Sequence, residues 1–143
     1  MTAQSDVCHT HQILGLFPEL LGPGGVQESG RHTAASLTEI AGRHGWRATF
    51  LSLNDPRAEH CLQFDDTEFT FHGFCRAKTE FVFSTIAAAR PLARGHSRTL
   101  VAGHPNLAPL AATIKMGTPN TKTVVITHGV DAWEPLPRMR RRA

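Results

Sequence analysis

Short apolar runs alternate with segments of helical period along this 143-residue chain. The run QILGLFPEL, which starts at Gln12, has the length and apolar density of a buried strand rather than a helix. From Val26 onward, small and apolar residues recur at intervals of three and four, which is typical of a helix that packs one face on a sheet. That face comprises Val26, Gly30, Ala34, Leu37 and Ala41. Gly45 then supplies a terminating glycine.

The rest of the chain continues this alternation. It predicts strands at WRATFLSLND (46–55), RTLVAG (98–103) and TKTVVITHGVDAW (121–133), and helices within KTEFVFSTIAAARPLARG (78–95) and HPNLAPLAATIKMG (104–117). EFTFHGF (68–74) alternates well enough for a short edge strand, inside an excursion over residues 55–95. Alternating strands and helices imply right-handed crossovers and a covered parallel sheet. The sequence therefore predicts an α/β fold, a Rossmann-like parallel sheet with helices on both faces.

Three turns directly follow predicted strands. They are Gly24-Gly25 after the first strand, His104-Pro105-Asn106 after the third core strand, and Thr127-His128-Gly129 after the last. In open parallel sheets, ligands bind at the carboxyl ends of the strands. Although the sequence scatters these turns, we expect the topology to bring them to one edge of the sheet.

The glycine elbow, LGPGG, fits neither of two familiar phosphate fingerprints. No Gly-Lys-Ser/Thr follows it, and Gln27 stands where a dinucleotide fingerprint needs its third glycine. A flexible loop that feeds a helix N-terminus still favours an anion, because free N–H groups and the helix dipole point toward it. Local sequence leaves two hypotheses open, a phosphate-binding loop and a plain strand-to-helix turn.

Two of the nine histidines differ from the rest, and the set as a whole fits no zinc spacing, so no metal is expected. His104 and His128 each follow an apolar strand and open a turn. An imidazole there can donate to a sugar hydroxyl or a phosphate, or act as a base. The alternative for each is that it only caps its turn. Asp131, after the last strand, either faces the same cleft or lies on the surface.

Length, hydrophobic content and net charge limit the classes of protein to which this chain can belong. Length and a hydrophobic content of 41% suit one globular domain. Much of the excess of basic over acidic residues, which gives a net charge of +3, lies at the end of the chain in Arg138, Arg140, Arg141 and Arg142. The body of the chain is therefore close to neutral, which argues against a nucleic-acid binder. The terminal arginines either contact anionic lipid head groups or form a solvated helix face.

We find neither a secretion signal nor a membrane span in the sequence, and this pattern predicts a cytoplasmic location. The start of the chain has no apolar leader, and no run reaches the roughly 20 residues of a membrane span. The three cysteines form no C-x-x-C and give no complete disulfide framework, so reduced thiols are expected. We expect a cytoplasmic protein, with peripheral contact at the inner membrane face as an option that the arginines leave open.

Three stretches taken together resemble glycosyltransferase family 4. They are GPGGVQESGRHTAASLTEIAGRHGW, LVAGHPNLAPLA and VVITHGVDAWEPLPRMRRRA. The resemblance is to the N-terminal, acceptor-side lobe of this two-lobed GT-B fold, and it covers most of the chain. It implies a retaining transfer of a sugar from a nucleotide-sugar donor to a sugar or lipid-linked acceptor, with no metal or other cofactor.

The same resemblance implies residue roles. It places Gly24 and Gly25 at the donor diphosphate. It makes His104 and His128 the catalytic residues, with His104 beside the transferred sugar and His128 lining the cleft. Four further residues are candidates for contact with the donor or the acceptor: Gln27, Arg31, Asn106 and Asp131.

The resemblance also predicts a division of the chain. Residues 1–10 are a flexible tail, 11–134 the Rossmann-like lobe, and 135–143 the truncated start of an inter-lobe segment. Family members continue into a second lobe that binds the nucleotide, and this chain shows none of its motifs. We therefore expect no sugar transfer by the isolated chain. Two alternatives stay open: a non-catalytic sugar- or phosphate-binding module that pairs with a separate second lobe, and an unrelated flavodoxin-like domain with a phosphate ligand.

Overall fold

The structure, a computed structural model, describes residues 11–90 and 96–128. In chain order its elements are β1 (His11–Phe17), α1 (Gly25–His44), β2 (Arg47–Ser52), β3 (Glu59–Phe64), β4 (Thr67–Gly73), α2 (Lys78–Ala88), β5 (Ser97–Ala102), a 3₁₀ turn (Pro105–Leu107), α3 (Ala108–Gly117) and β6 (Thr121–Val125). The predicted tail over 1–10, the predicted inter-lobe segment over 135–143, and Asp131 lie outside the described residues.

One six-stranded sheet organises these elements in the order β3-β4-β2-β1-β5-β6. Five strands run parallel, and β3 pairs antiparallel with β4. The chain steps outward from β1 to β2 and β4, and then returns to the other side of β1 with β5 and β6. The winding therefore reverses between β1 and β5, which is the topological switch point of such sheets. The predicted Rossmann-like α/β fold is confirmed, with one antiparallel strand added.

The prediction that EFTFHGF forms an edge strand is wrong, because it forms β4, which lies one strand inside the sheet. The edge is β3, which joins β4 through a turn at Asp65-Asp66 and pairs with it over its whole length. In β3 exposed positions alternate with half-buried ones, and none is fully buried. Its sequence therefore lacks the dense apolar signal that marks the core strands.

Helices cover both faces of the sheet, as predicted. The side chains of Ile13 and Phe17 lie on the α1 side, whereas Leu14 and Leu16 lie in the core on the α2 and α3 side. Because β1 is buried on both faces, it has a continuous apolar run instead of an alternating one.

The Phe17 ring sets how closely neighbouring elements approach the end of β1. A Cβ atom added at Gly103 would lie 2.5 Å from Phe17 Cδ1, and one at Gly15 would lie 2.9 Å from Phe17 Cε2. A Cβ at Gly30 of α1 would lie 3.1 Å from Leu20 Cδ2, so the glycine lets the helix pass close over the loop after β1. Glycine at these positions therefore lets the start of α1 and the end of β5 lie close to the carboxyl end of β1.

The side chain of Arg98 fixes the other end of the sheet. It is 1% exposed, and its guanidinium donates to the carbonyl oxygens of Ala89 (3.0 Å) and Arg90 (2.8 Å) and to Gln12 Oε1 (3.2 Å). Burial lowers the pKa of this guanidinium. The two carbonyls lie just past the end of α2, where the helix dipole favours a cation. Arg98 thereby joins α2 to the starts of β1 and β5.

Replacing Arg98 with methionine is expected to lower the free energy of unfolding by about 3 kcal/mol, because the carbonyls after α2 lose their donors inside the protein. Urea unfolding measures this change. Arg47→Met, at an exposed position of β2, is the matched control and should change stability by less than about 0.5 kcal/mol. Equal effects of the two substitutions would contradict the role given to Arg98.

Candidate functional site

The carboxyl edge of the sheet brings together the turns that follow β1, β5 and β6. The Gly103 N–H donates to the Leu16 carbonyl (2.7 Å), and the Ile126 N–H donates to the Ala102 carbonyl (2.9 Å), so the three strand ends are in register. Neighbouring strands lie about 4.8 Å apart, which puts the ends of β1 and β6 about 10 Å from each other.

The two histidines singled out from the sequence lie side by side at this edge. Their ring centroids are 6.1 Å apart and their planes are tilted by 25°. His104 Nδ1 accepts from the Asn106 N–H (3.1 Å), and His128 Nε2 donates to the Gly103 carbonyl (2.9 Å). Since a backbone N–H only donates and a carbonyl only accepts, the neutral rings carry their protons on Nε2. The Asn106 N–H and the Gly103 carbonyl therefore fix the orientation and the tautomer of the two rings.

The glycine elbow forms the start of α1. Gly24 precedes the helix with φ 127°, a conformation that side-chain-bearing residues rarely adopt, and no side chain caps the helix. A Cβ added at Gly25 would meet nothing within 4 Å. The first N–H groups of α1 thus adjoin open space at Gly25, which is a favourable place for an anion.

A carboxylate of the chain itself also lies in this elbow. Gln27 Nε2 donates to Glu19 Oε2 (2.7 Å). A Cβ at Gly22 would lie 2.8 Å from Glu19 Oε2, and one at Gly24 would lie 2.7 Å from Gln27 Oε1. The absence of side chains at Gly22 and Gly24 therefore makes room for Glu19 and Gln27. Gln27, a predicted ligand contact, donates to Glu19 in this arrangement, and its contact with a donor or acceptor stays a prediction.

Arg31, another predicted ligand contact, holds the backbone of the elbow. Its Nη1 donates to the carbonyls of Leu20 (2.7 Å) and Gly22 (3.0 Å). Its guanidinium carbon lies 5.7 Å from the centre of the Phe64 ring, within cation–π range. These contacts give Arg31 a positioning role for the loop, and its contact with a donor or acceptor stays a prediction.

Sequence reasoning missed Asp55, which anchors the same loop. Its carboxylate is 1% exposed and accepts from the Leu20 N–H (2.7 Å), the Leu21 N–H (3.1 Å) and Ser52 Oγ (2.6 Å). The residue follows β2, and the sequence indicates a turn there. Its loop partners lie more than thirty residues earlier in the chain, so no local pattern could identify them.

A cleft of about 540 Å³ opens on the α2 and α3 side of this edge. Loops after β1 and β2, the first turn of α2 and the start of α3 line it, and Asn106 is the predicted contact that it includes. The sequence did not indicate this cleft, because four segments far apart in the chain form it.

The ring of His11 lies at the opposite end of the sheet, where its hydrogen bonds join β1 to β5. Its two nitrogens contact Ser97 Oγ (2.6 Å) and Thr99 Oγ1 (3.1 Å). Burial, and to a lesser degree the charge of Lys122, lowers its pKa.

Metal and membrane features were searched within residues 11–90 and 96–128. No group of three His, Cys, Asp or Glu side chains in these ranges is arranged to hold a metal ion. None of the described helices has the length and apolar character needed to cross a membrane.

The fold and this edge define an α/β protein with a Rossmann-like sheet and a polar switch-point edge. No family model, curated protein or solved structure gives a significant match to the chain. The glycosyltransferase resemblance therefore depends on the sequence motifs and on how the sheet groups them.

Replacing Asp55 with asparagine is expected to lower the free energy of unfolding by about 1–3 kcal/mol, because the amide nitrogen cannot accept from the loop N–H groups. Hydrogen exchange at the Leu20 and Leu21 amides should accelerate as well. Asp66→Asn, at an exposed turn position, is the matched control. Unchanged exchange at Leu20 and Leu21 in Asp55→Asn would show that another contact anchors the loop.

Replacing His104 with alanine removes the acceptor for the Asn106 N–H, and we expect it to lower the free energy of unfolding by about 1 kcal/mol. His104→Asn should regain most of this loss, because an asparagine side chain accepts from the N–H two residues later. Urea unfolding of both variants measures the difference. Equal stability of the two variants would mean that capping is not what His104 contributes.

Proposed function

We propose that this chain is the N-terminal, acceptor-side part of a retaining glycosyltransferase, which moves a sugar from a nucleotide-sugar donor to an acceptor. The observation that carries the proposal is the pairing of His104 with His128, whose rings lie 6.1 Å apart although they follow different strands. The start of α1 lies at the same edge. The sequence motifs that resemble the family are thus grouped where an α/β sheet binds its ligand.

Each part of the edge has a role in this proposal. The amides at the start of α1, at Gly25, meet the donor diphosphate and stabilise its charge as it leaves. His104 lies beside the transferred sugar and His128 lines the cleft, which are the places that the resemblance gives them. The Asn106 N–H and the Gly103 carbonyl orient the two rings at this edge.

The negative charge of Glu19 limits the direction from which a donor can approach the elbow. Its carboxylate repels a diphosphate at Gly22 and Gly24, so the donor approaches from the side of Gly25. When Glu19 turns outward, the amide of Gln27 is released to donate to a phosphate oxygen. The predicted contact of Gln27 with the donor is consistent with this second arrangement.

Gly25→Ala tests the diphosphate site without disturbing the fold. The substitution should leave stability unchanged or raise it by up to about 1 kcal/mol, because alanine favours a helix and meets open space here. It should weaken the binding of inorganic pyrophosphate by about tenfold, a loss of about 1.4 kcal/mol, since the new methyl group obstructs the approach to the amides. Calorimetry measures binding, and thermal unfolding measures stability.

Gly42→Ala is the matched control, because Gly42 also lies in α1 and also has nothing within 4 Å of an added Cβ. It should change stability in the same direction and leave pyrophosphate binding unaltered. If the wild type does not bind pyrophosphate, or if both variants bind it equally, the elbow is a plain strand-to-helix turn and not a phosphate-binding loop. Displacement of bound pyrophosphate by a UDP-, GDP- or ADP-sugar would favour the transferase over the phosphate-binding module.

A further inference from the structure

The cleft of about 540 Å³ has an apolar floor and walls. Phe81 and Leu107 form the floor and are 2% and 7% exposed, while Val82 and Leu110 are half-buried along the sides. The volume falls in the range of pockets that hold small organic ligands. An apolar body of one or two rings, or a short alkyl chain, would displace water from these side chains.

The rim of the cleft is polar and carries one positive charge. Asn54, Lys78 and Asn106 are exposed there. No hydrogen bond or ion pair engages the Lys78 ammonium within residues 11–90 and 96–128, whereas Glu80, in the same helical turn, pairs with Arg57 at 2.9 Å. The nearest acidic side chain along α2 is therefore paired with another cation, and not with Lys78. The cleft presents a cation and two amides beside apolar surface.

We propose that this cleft binds a small amphipathic anion, with its apolar body on Phe81 and Leu107 and its carboxylate, phosphate or sulfonate at Lys78. Asn54 and Asn106 each have two amide donors to add to the ion pair. The site differs from the start of α1, where the chain offers backbone amides and a carboxylate. The inference does not depend on sugar transfer, because it follows from the lining of the cleft alone.

Two fluorescent probes with the same apolar body test it. They are 8-anilino-1-naphthalenesulfonate, which is an anion, and N-phenyl-1-naphthylamine, its neutral counterpart. Lys78→Met should weaken binding of the sulfonate by about fivefold, the loss of one charge-assisted contact, and change binding of the neutral probe by less than about twofold. Lys115→Met, at an exposed position of α3 outside the cleft, is the matched control and should change neither.

A second substitution tests the apolar part. Val82→Trp should fill the cleft and weaken both probes by about fivefold or more, and thermal unfolding checks that it folds. Phe83→Ser is its control, because Phe83 is 66% exposed on the same helix and does not line the cleft. Sulfonate binding that Lys78→Met leaves unchanged, or that Phe83→Ser reduces as much as Val82→Trp does, would overturn the proposal.

Displacement of the bound sulfonate probe distinguishes the sources of such a ligand. Displacement by dissolved octyl phosphate, and not by phosphatidylglycerol vesicles, would support a free amphipathic metabolite. Displacement by the vesicles as well would support a lipid head group with its chain. Failure of both competitors would overturn the assignment of the cleft to an amphipathic anion.

Discussion

A single buried carboxylate holds the loop on which the candidate site depends. Asp55 binds the backbone of Leu20 and Leu21 and the hydroxyl of Ser52, so the loop after β1 is fastened to the end of β2. Arg31 completes the arrangement from α1, because it donates to two carbonyls of the same loop. Polar backbone groups that cannot reach water need such partners. The fold itself therefore sets the shape of the elbow, without a ligand.

The elbow and the cleft, which lie at the same edge of the sheet, differ in the charged groups that they offer to a ligand. At the elbow, the described side chains nearest the glycines are Glu19 and Gln27, and Arg31 is engaged with the loop backbone. An anion there would be held by the free N–H groups and the helix dipole at the start of α1. The cleft beside α2 instead has the Lys78 ammonium next to apolar surface. The two proposals therefore assign different anions to the two regions, a diphosphate to the elbow and an amphipathic anion to the cleft.

Much of the fold was predictable because it depends on local pattern. Strands buried on both faces have continuous apolar runs, and helices with one apolar face have a helical period, so both can be recognised in the sequence. A parallel topology then brings His104 and His128 to one edge. The pattern failed for β3, whose side chains are at most half-buried, and for the position of β4, whose neighbours are chosen by packing. It failed also for Asp55, since a hydrogen bond across more than thirty residues has no local period.

The glycine elbow shows what structure adds to a motif. Gly24 is explained within the chain by its positive φ, and a side chain at Gly22 would have to displace the carboxylate of Glu19. Gly25 has no such explanation: its φ is not positive and its Cβ position is empty. Gly42 is equally unconstrained, but it lies near the other end of α1, away from the strand ends. Of the glycines in the elbow, Gly25 alone gives up helix stability without a contact inside the chain that requires it, which is what a residue reserved for close approach of a ligand would do.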